Sequence, residues 1–300
     1  MRWISPFFAV AAIQLISVLA APANQIVKRT STSESASVGY ATLNGGTTGG
    51  TGGTTTTVTT LACPHFCWTI TGNTVVKVGS NTSVLGASGS LLSGVGLRVL
   101  EESNVIIRNV KIQKVLADAG DAIGIQESHN VWVDHVDLSS DLDHDKDYYD
   151  GLLDITHGSY GITVTNSKLY NHWKASLMSA LRVTFALNWW QNLNSRGPSF
   201  RFGQGHIFNN YYVDLNDGIN TRDEAQLLIE NNVFTGTTDA IYSTDGGYAV
   251  ASGNDFGDDG ENTAPTGTIS ASSLGYSYTL LATSKVASSV QSNAGQTLSF

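Results

Sequence analysis

The sequence is short of cysteine, proline, charge and long apolar runs, and each shortage removes a class of protein. Two cysteines, Cys63 and Cys67, stand among 300 residues, so no disulfide framework can hold this chain together. They could form one local bridge in an oxidising compartment. A zinc site would need further soft ligands at suitable spacing, and the sequence offers none. Only 14% of residues are charged, and the 16 basic residues are outnumbered by 25 acidic ones. A formal net charge of −9 argues against general binding to nucleic acid or to anionic membranes. Outside the first 20 residues no apolar stretch is long enough to cross a bilayer. What is abundant is glycine (31 residues), with aromatics at 9%, a composition that suits a folded, β-rich chain.

The one apolar run lies at the start. Arg2 precedes it, it extends from Phe7 to Leu19, and Val18-Leu19-Ala20 makes a small-residue cleavage pattern. Residues 1–20 therefore read as a signal peptide and the protein as secreted and extracellular. Lys28-Arg29 is a dibasic pair that would close a short propeptide over residues 21–29, followed by a linker over 30–37 and a single domain over 38–300. Asn81-Thr82-Ser83 is a glycosylation acceptor triplet.

Within the domain one spacing recurs. Asn166, Asn188, Asn210, Asn232 and Asn254 fall 22 residues apart, and aromatics follow two residues after four of them, as Trp190, Tyr212, Phe234 and Phe256. Three residues before these four come Phe185, Ile207, Ile229 and Ala251. Self-similarity at a short fixed period marks a solenoid. Alternating apolar residues rich in Val, Ile, Thr and aromatics fit strands rather than helices. The expected fold is all-β, a single-stranded right-handed parallel β-helix. Residues 22 apart should then form ladders about 4.8 Å apart along the axis. Asparagine suits such a ladder, because it tolerates left-handed bends and its stacked amides can bond to one another.

The same period points to chemistry when applied to the remaining residues. Lys174 and Arg196 are also 22 apart and are expected at equivalent places on adjacent coils, with Arg201 following in Arg196-Gly197-Pro198-Ser199-Phe200-Arg201. Two stacked cations call for an anion or carboxylates nearby. Asp118 and Asp121 fall on one preceding coil, Asp150 and Asp154 on the next. Carboxylates from adjacent coils, with water, could supply the ~6–8 oxygen ligands that calcium takes. On an extended strand Asp150 and Asp154 would lie ~13 Å apart, so Asp150 must sit on a loop that curls back, a turn Gly151 makes easy. The acidic stretch Asp141-Leu142-Asp143-His144-Asp145-Lys146-Asp147 lacks the glycine and terminal glutamate of an EF-hand loop and reads as a solvated insertion. A cation site beside Lys and Arg is what an acidic protein needs to hold an acidic polysaccharide.

Four ordered phrases then resemble a known family. They are Val131-Trp132-Val133-Asp134-His135, Tyr149-Asp150-Gly151-Leu152-Leu153-Asp154, His172-Trp173-Lys174, and Arg196-Gly197-Pro198-Ser199-Phe200-Arg201-Phe202-Gly203 with Asn209-Asn210-Tyr211-Tyr212 after His206. Over roughly residues 38–300 the chain is similar to the pectate lyases, the family that also contains the pectin lyases, and most closely to its secreted fungal members. The resemblance implies calcium held by Asp121, Asp150 and Asp154, proton abstraction at C5 by Arg196, and contacts from Lys174 and Arg201 to substrate carboxylates. The substrate would be polygalacturonate of the plant cell wall, cleaved by β-elimination to 4,5-unsaturated oligogalacturonides by a monomer. A free guanidinium titrates at ~12.5–13.8, and calcium and Lys174 nearby would lower it, which predicts an alkaline activity optimum. Three departures from the family pattern stand out: a short Cys-containing segment between Thr60 and Val76, a polar loop missing between Lys174 and Leu181, and Ala186-Leu187 in place of two histidines. Retention of all three aspartates favours pectate over methyl-esterified pectin as substrate. The phrases of a polygalacturonase are missing, and a non-catalytic polysaccharide-binding solenoid is the reading from a different class.

Overall fold

The structure, a computed structural model, describes residues 28–57 and 69–300. The expected signal peptide over 1–20, most of the propeptide segment and both cysteines lie outside the described residues. All strand pairings along the coil axis are parallel, and they assemble three sheets into a parallel β-helix. One sheet stacks eight strands, from Thr82–Leu85 through Ser103–Arg108, His129–Asp134, Tyr160–Thr165, Arg182–Ala186, Gln204–Phe208 and Gln226–Glu230 to Tyr248–Ser252. The second runs from Lys111–Gln113 to Val233–Thr235 and the third from Ile123–Gln126 to Asp239–Ser243. These last two fuse at the long strand Leu91–Leu100. Its start pairs with Lys111–Gln113 and its end with Ile123–Gln126.

From the second coil on, each coil turns from the first to the second sheet through one residue in the left-handed region, and asparagine occupies it most often. Asn109, His135, Asn166, Leu187, Asn209 and Asn231 all have φ between 47° and 60° there. Directly after this corner comes the inward asparagine ladder. Asn188 Nδ2 donates to Asn210 Oδ1 (2.9 Å), Asn210 to Asn232 (2.9 Å) and Asn232 to Asn254 (3.0 Å), while the same amides also bond backbone carbonyls. Asn188, Asn210 and Asn232 are fully buried, and a network satisfied at every step is what makes that burial tolerable.

Asn166 is not in this ladder, contrary to its spacing. The pairing slips at Gly161, so Thr165 lies opposite Ala186 and Ser167 opposite Asn188. Asn166 sits one place earlier, on the left-handed corner, and donates to Asp134 Oδ1 (3.1 Å). The aromatic ladder runs as expected. Trp190, Tyr212, Phe234 and Phe256 stack at centroid separations of 5.8, 4.5 and 5.6 Å. They lie in one continuous core of buried Val, Ile, Leu and aromatic side chains.

The first and last described segments are lashed along the outside. The strand Lys28–Arg29 pairs with Leu298–Ser299, and Tyr40 and Ala41 are buried against Thr184 and Thr163, whose hydroxyls accept their N–H groups. Residues beyond 265 run back over the first sheet. Tyr276 reaches Thr184 and His206, Leu281 bonds Asn209 and Asn231, and Leu298 bonds Asn109. The helix Thr283–Asn293 buries Val286 and Val290 against Leu187, Trp189, Tyr211 and Val233.

Candidate active site

The candidate residues meet on the outer face of the third sheet and the corner leading into it. Asp154 is the second residue of the strand Leu153–Thr156, opposite Gly124, and Asp121 lies in the loop before the strand Ile123–Gln126. Gly151 lies between the two carboxylates. A Cβ there would stand 2.8 Å from Asp121 Oδ1 and 2.7 Å from Asp154 Cγ. Its own N–H donates to Asp121 Oδ1 at 3.0 Å. The expected role of Gly151, an easy turn, is thus accompanied by a second one, because any side chain would push the carboxylates apart. Asp150 precedes it on a loop, as the strand geometry demands, and Asp118 sits in the short turn Ala117–Ala119.

Burial, then the charge of Asp150, pushes the Asp121 carboxyl up to about 6. Burial and the charge of Asp121 drive Asp154 well above the usual carboxylate range, with the Leu177 N–H bond (2.8 Å) opposing. Carboxyls raised by burial and by one another's neighbouring charge, as Asp121 is by Asp150 and Asp154 by Asp121, lack positive charge. A hard divalent cation supplies it, and oxygen donors of this kind suit calcium. The donor set therefore fits that ion, although among the described residues no three acidic, histidine or cysteine side chains converge on one point as a closed cage.

Cations stand near this pair, Arg196 against Asp154 itself and the others against further carboxylates. Lys174 Nζ lies 3.5 Å from Asp150 Oδ1 and 3.1 Å from Asp147 Oδ1. Arg196 Nη1 lies 4.0 Å from Asp154 Oδ2, and Arg201 Nε 3.7 Å from Asp223 Oδ2. Lys174 and Arg196 are both brought to the cleft, but not by equivalence. Lys174 pairs with Ser195, one residue short of Arg196. The corner between Leu193 and Ser199 holds five residues, against four in the corners below (His172 to Leu177) and above (Leu215 to Asn220). A one-residue shift ordinarily turns a side chain to the opposite face. Here the surplus falls at Gly197-Pro198, which together face Ser176, and Arg196 just before it has a left-handed backbone (φ 63°) and a guanidinium that reaches Asp154. A non-glycine residue held in that region beside a reactive cluster is a strained position of the kind found at functional sites.

Two further parts were not foreseen. The acidic loop is solvated over Asp143–Asp147, as expected, but it is also tied to its surroundings. Asp141 accepts from Tyr149 Oη (3.0 Å) and pairs with Lys114 (3.0 Å), the His144 carbonyl accepts from Trp173 Nε1 (2.8 Å), and Asp147 holds Lys174. His172, quoted above only as part of a phrase, is buried, and burial lowers it to about 4, so it is neutral near pH 7. Its Nε2–H donates to the Asp150 carbonyl (2.6 Å), leaving Nδ1 to accept from Ser140 Oγ, and the pair fixes the backbone that carries Asp150. His172 two places before Lys174 on one strand was the available signal, but the sequence by itself offered it no partner. Asn81 is exposed at a left-handed turn near the first coils, remote in sequence from this cleft.

Comparison with known proteins agrees with this geometry. A family model described as pectate lyase matches residues 70–299. A probable pectate lyase A of Aspergillus niger is 52% identical, with 100% of this chain and 99% of that protein aligned. That alignment spans 329 positions against 300 residues here, so at least 29 positions are filled only in the relative. Pectate lyase A of Emericella nidulans is 52% identical over 98% of each chain. Among solved structures, a Bacillus pectate lyase in complex with trigalacturonate has a TM-score of 0.73 and 30% identity, covering 87% of this chain and 98% of its own. Pectate lyase II of Xanthomonas campestris has a TM-score of 0.74 and 26% identity, with the same coverage. The chain belongs to the pectate lyase family.

Proposed function

We propose that the protein is a secreted pectate lyase that cleaves α-1,4-linked polygalacturonate by calcium-assisted β-elimination. The observation that carries the reading is the meeting of Asp121 and Asp154 over Gly151, with Lys174 and Arg196 beside them. Asp121, Asp150 and Asp154 would hold calcium, which neutralises a substrate carboxylate and acidifies the adjacent C5 proton. Lys174 and Arg201 bind uronate carboxylates along the cleft, exchanging Asp147 and Asp223 for the substrate's own anions. Arg196 takes the C5 proton. The C5–H electron pair becomes the C4–C5 double bond, the C4–O bond breaks, and the departing oxygen takes a proton from water to leave as an alcohol. Lys174 and Arg201 stabilise the negative charge that develops on the carboxylate in between. A guanidine accepts a proton only when unprotonated, so turnover is expected to climb from neutral towards alkaline pH.

Secretion through residues 1–20, processing after Arg29 and glycan attachment at Asn81 belong to the same reading of an extracellular enzyme. The test is growth of ultraviolet absorbance from unsaturated product on polygalacturonate. Activity should vanish with a chelator, return with calcium, and fall about 10²–10⁴-fold in Arg196→Ala. Polymer binding without product would mark a non-catalytic solenoid, and chelator-resistant activity on methyl-esterified polymer would mark a pectin lyase.

A further inference from the structure

Where the third sheet gives way to the first, the coils carry a second feature that the cleft does not use. Six large apolar side chains stand exposed among the described residues, and three of them, Tyr160, Leu181 and Phe202, lie on three successive coils at this corner. The first strand residues form a row along the axis, with Tyr160 opposite Arg182 and Arg182 opposite Gln204. Asn44, from the outer N-terminal arm, closes the far side, and Tyr160, Leu181, Arg182, Gln204 and Asn44 line an open groove of about 490 Å³. Tyr160 is held flat against His129, with centroids 4.9 Å apart and planes within 5°.

Charge separates this groove from the cleft. Lys174, Arg196, Arg201 and Arg222 each face a carboxylate of the protein. Arg182 is exposed and makes no ion pair among the described residues, in a chain whose net charge is −9. An exposed guanidinium flanked by a tyrosine face, a leucine and two amides has the chemistry to hold an acidic sugar. The fork meets the carboxylate in bidentate fashion, the apolar surfaces cover the C–H face of the ring, and Gln204 and Asn44 can bond hydroxyls. The groove begins three residues beyond Arg201 on the same coil, through the exposed Phe202.

We propose that this groove is a second, non-catalytic subsite for a polyuronate segment, with Arg182 as its carboxylate contact and Tyr160 as its stacking face. It rests on the polyuronate substrate of the preceding section, and its test separates the two. Full-length protein carrying Arg196→Lys, to suppress turnover, is run in gels containing polygalacturonate or, as a neutral control, amylose. Adding Arg182→Glu is expected to weaken retention by polygalacturonate about two- to tenfold and to leave migration in amylose unchanged. Leu181→Ala, whose side chain is open to solvent, should weaken it less, and thermal melts verify that each variant is folded. In the otherwise native chain, Arg182→Glu should leave turnover of trigalacturonate within twofold while slowing attack on the polymer. Unchanged retention, an equal loss in amylose, or a parallel loss on trigalacturonate would overturn the subsite. Arg182-sensitive retention by a native chain that makes no unsaturated product would sustain the subsite and reject the lyase reading. Product formation with Arg182-insensitive retention would do the reverse.

Discussion

Arg196 reaches the cleft through its backbone more than through its place in the repeat. Its corner carries one residue more than its neighbours, at Gly197-Pro198 just after it, and from a left-handed backbone its side chain reaches Asp154. An L-residue other than glycine or asparagine costs about 1–2 kcal/mol there, a local cost that asparagine largely avoids. Arg196→Asn is therefore expected to raise thermal stability slightly, by up to about 1 kcal/mol. The same change removes lyase activity. Melting curves and the absorbance assay on one preparation check both halves, and an active variant, or one that is markedly destabilised, would contradict this account of Arg196.

At the scale of elements, the acidic loop and the corner ladders show what sequence can and cannot carry. Asp147 holds Lys174 at 3.1 Å from a mostly exposed position. A substrate carboxylate must displace it, so Asp147→Asn is expected to lower KM about two- to fivefold with kcat nearly unchanged, as removal of a screened surface pair allows. Steady-state kinetics on trigalacturonate measure it. The solvation of the loop was legible from its run of charges, but its tethers to Lys114 and Trp173 were not, because those residues meet it only after folding. The ladder from Asn188 to Asn254 was legible, since a strict period writes axial neighbours directly into the chain. Asn166 and the pairing of Lys174 with Ser195 were not. The slip at Gly161 shifts the strands without disturbing the count of asparagines. Lys174, Arg196 and Arg201 came from the period and Asp121, Asp150 and Asp154 from the acidic coils before them, the family resemblance gave each an expected role, and the structure added the reason Gly151 stands among them.

For the whole molecule, the buried carboxyls tie stability to pH and to cations. Asp121 holds its proton up to about 6, above the ordinary value of 3.8. Between these values the native state binds more protons than the unfolded one, so without calcium stability should fall as pH rises from about 4 to 6. Calcium must displace those protons, so its affinity should increase over the same interval, with proton release. Titration calorimetry in buffers of different ionisation heat detects the release, and calcium affinity that stays flat from pH 4 to 7 would rule it out.

The outer lashing has a consequence for how the coil comes apart. A bare solenoid behaves as a one-dimensional array, in which each coil feels only its neighbours and the ends fray first. In this chain the last 36 residues and the first described strand bridge coils far apart, binding Asn109, Thr184, His206, Asn209 and Asn231 into one circuit that closes where Lys28–Arg29 meets Leu298–Ser299. Loss of any coil then loosens distant ones, and unzipping from an end gives way to a single cooperative transition. Calorimetric and van't Hoff enthalpies should agree for the full chain, and they should diverge, with the melt broadening, once residues 281–300 are removed.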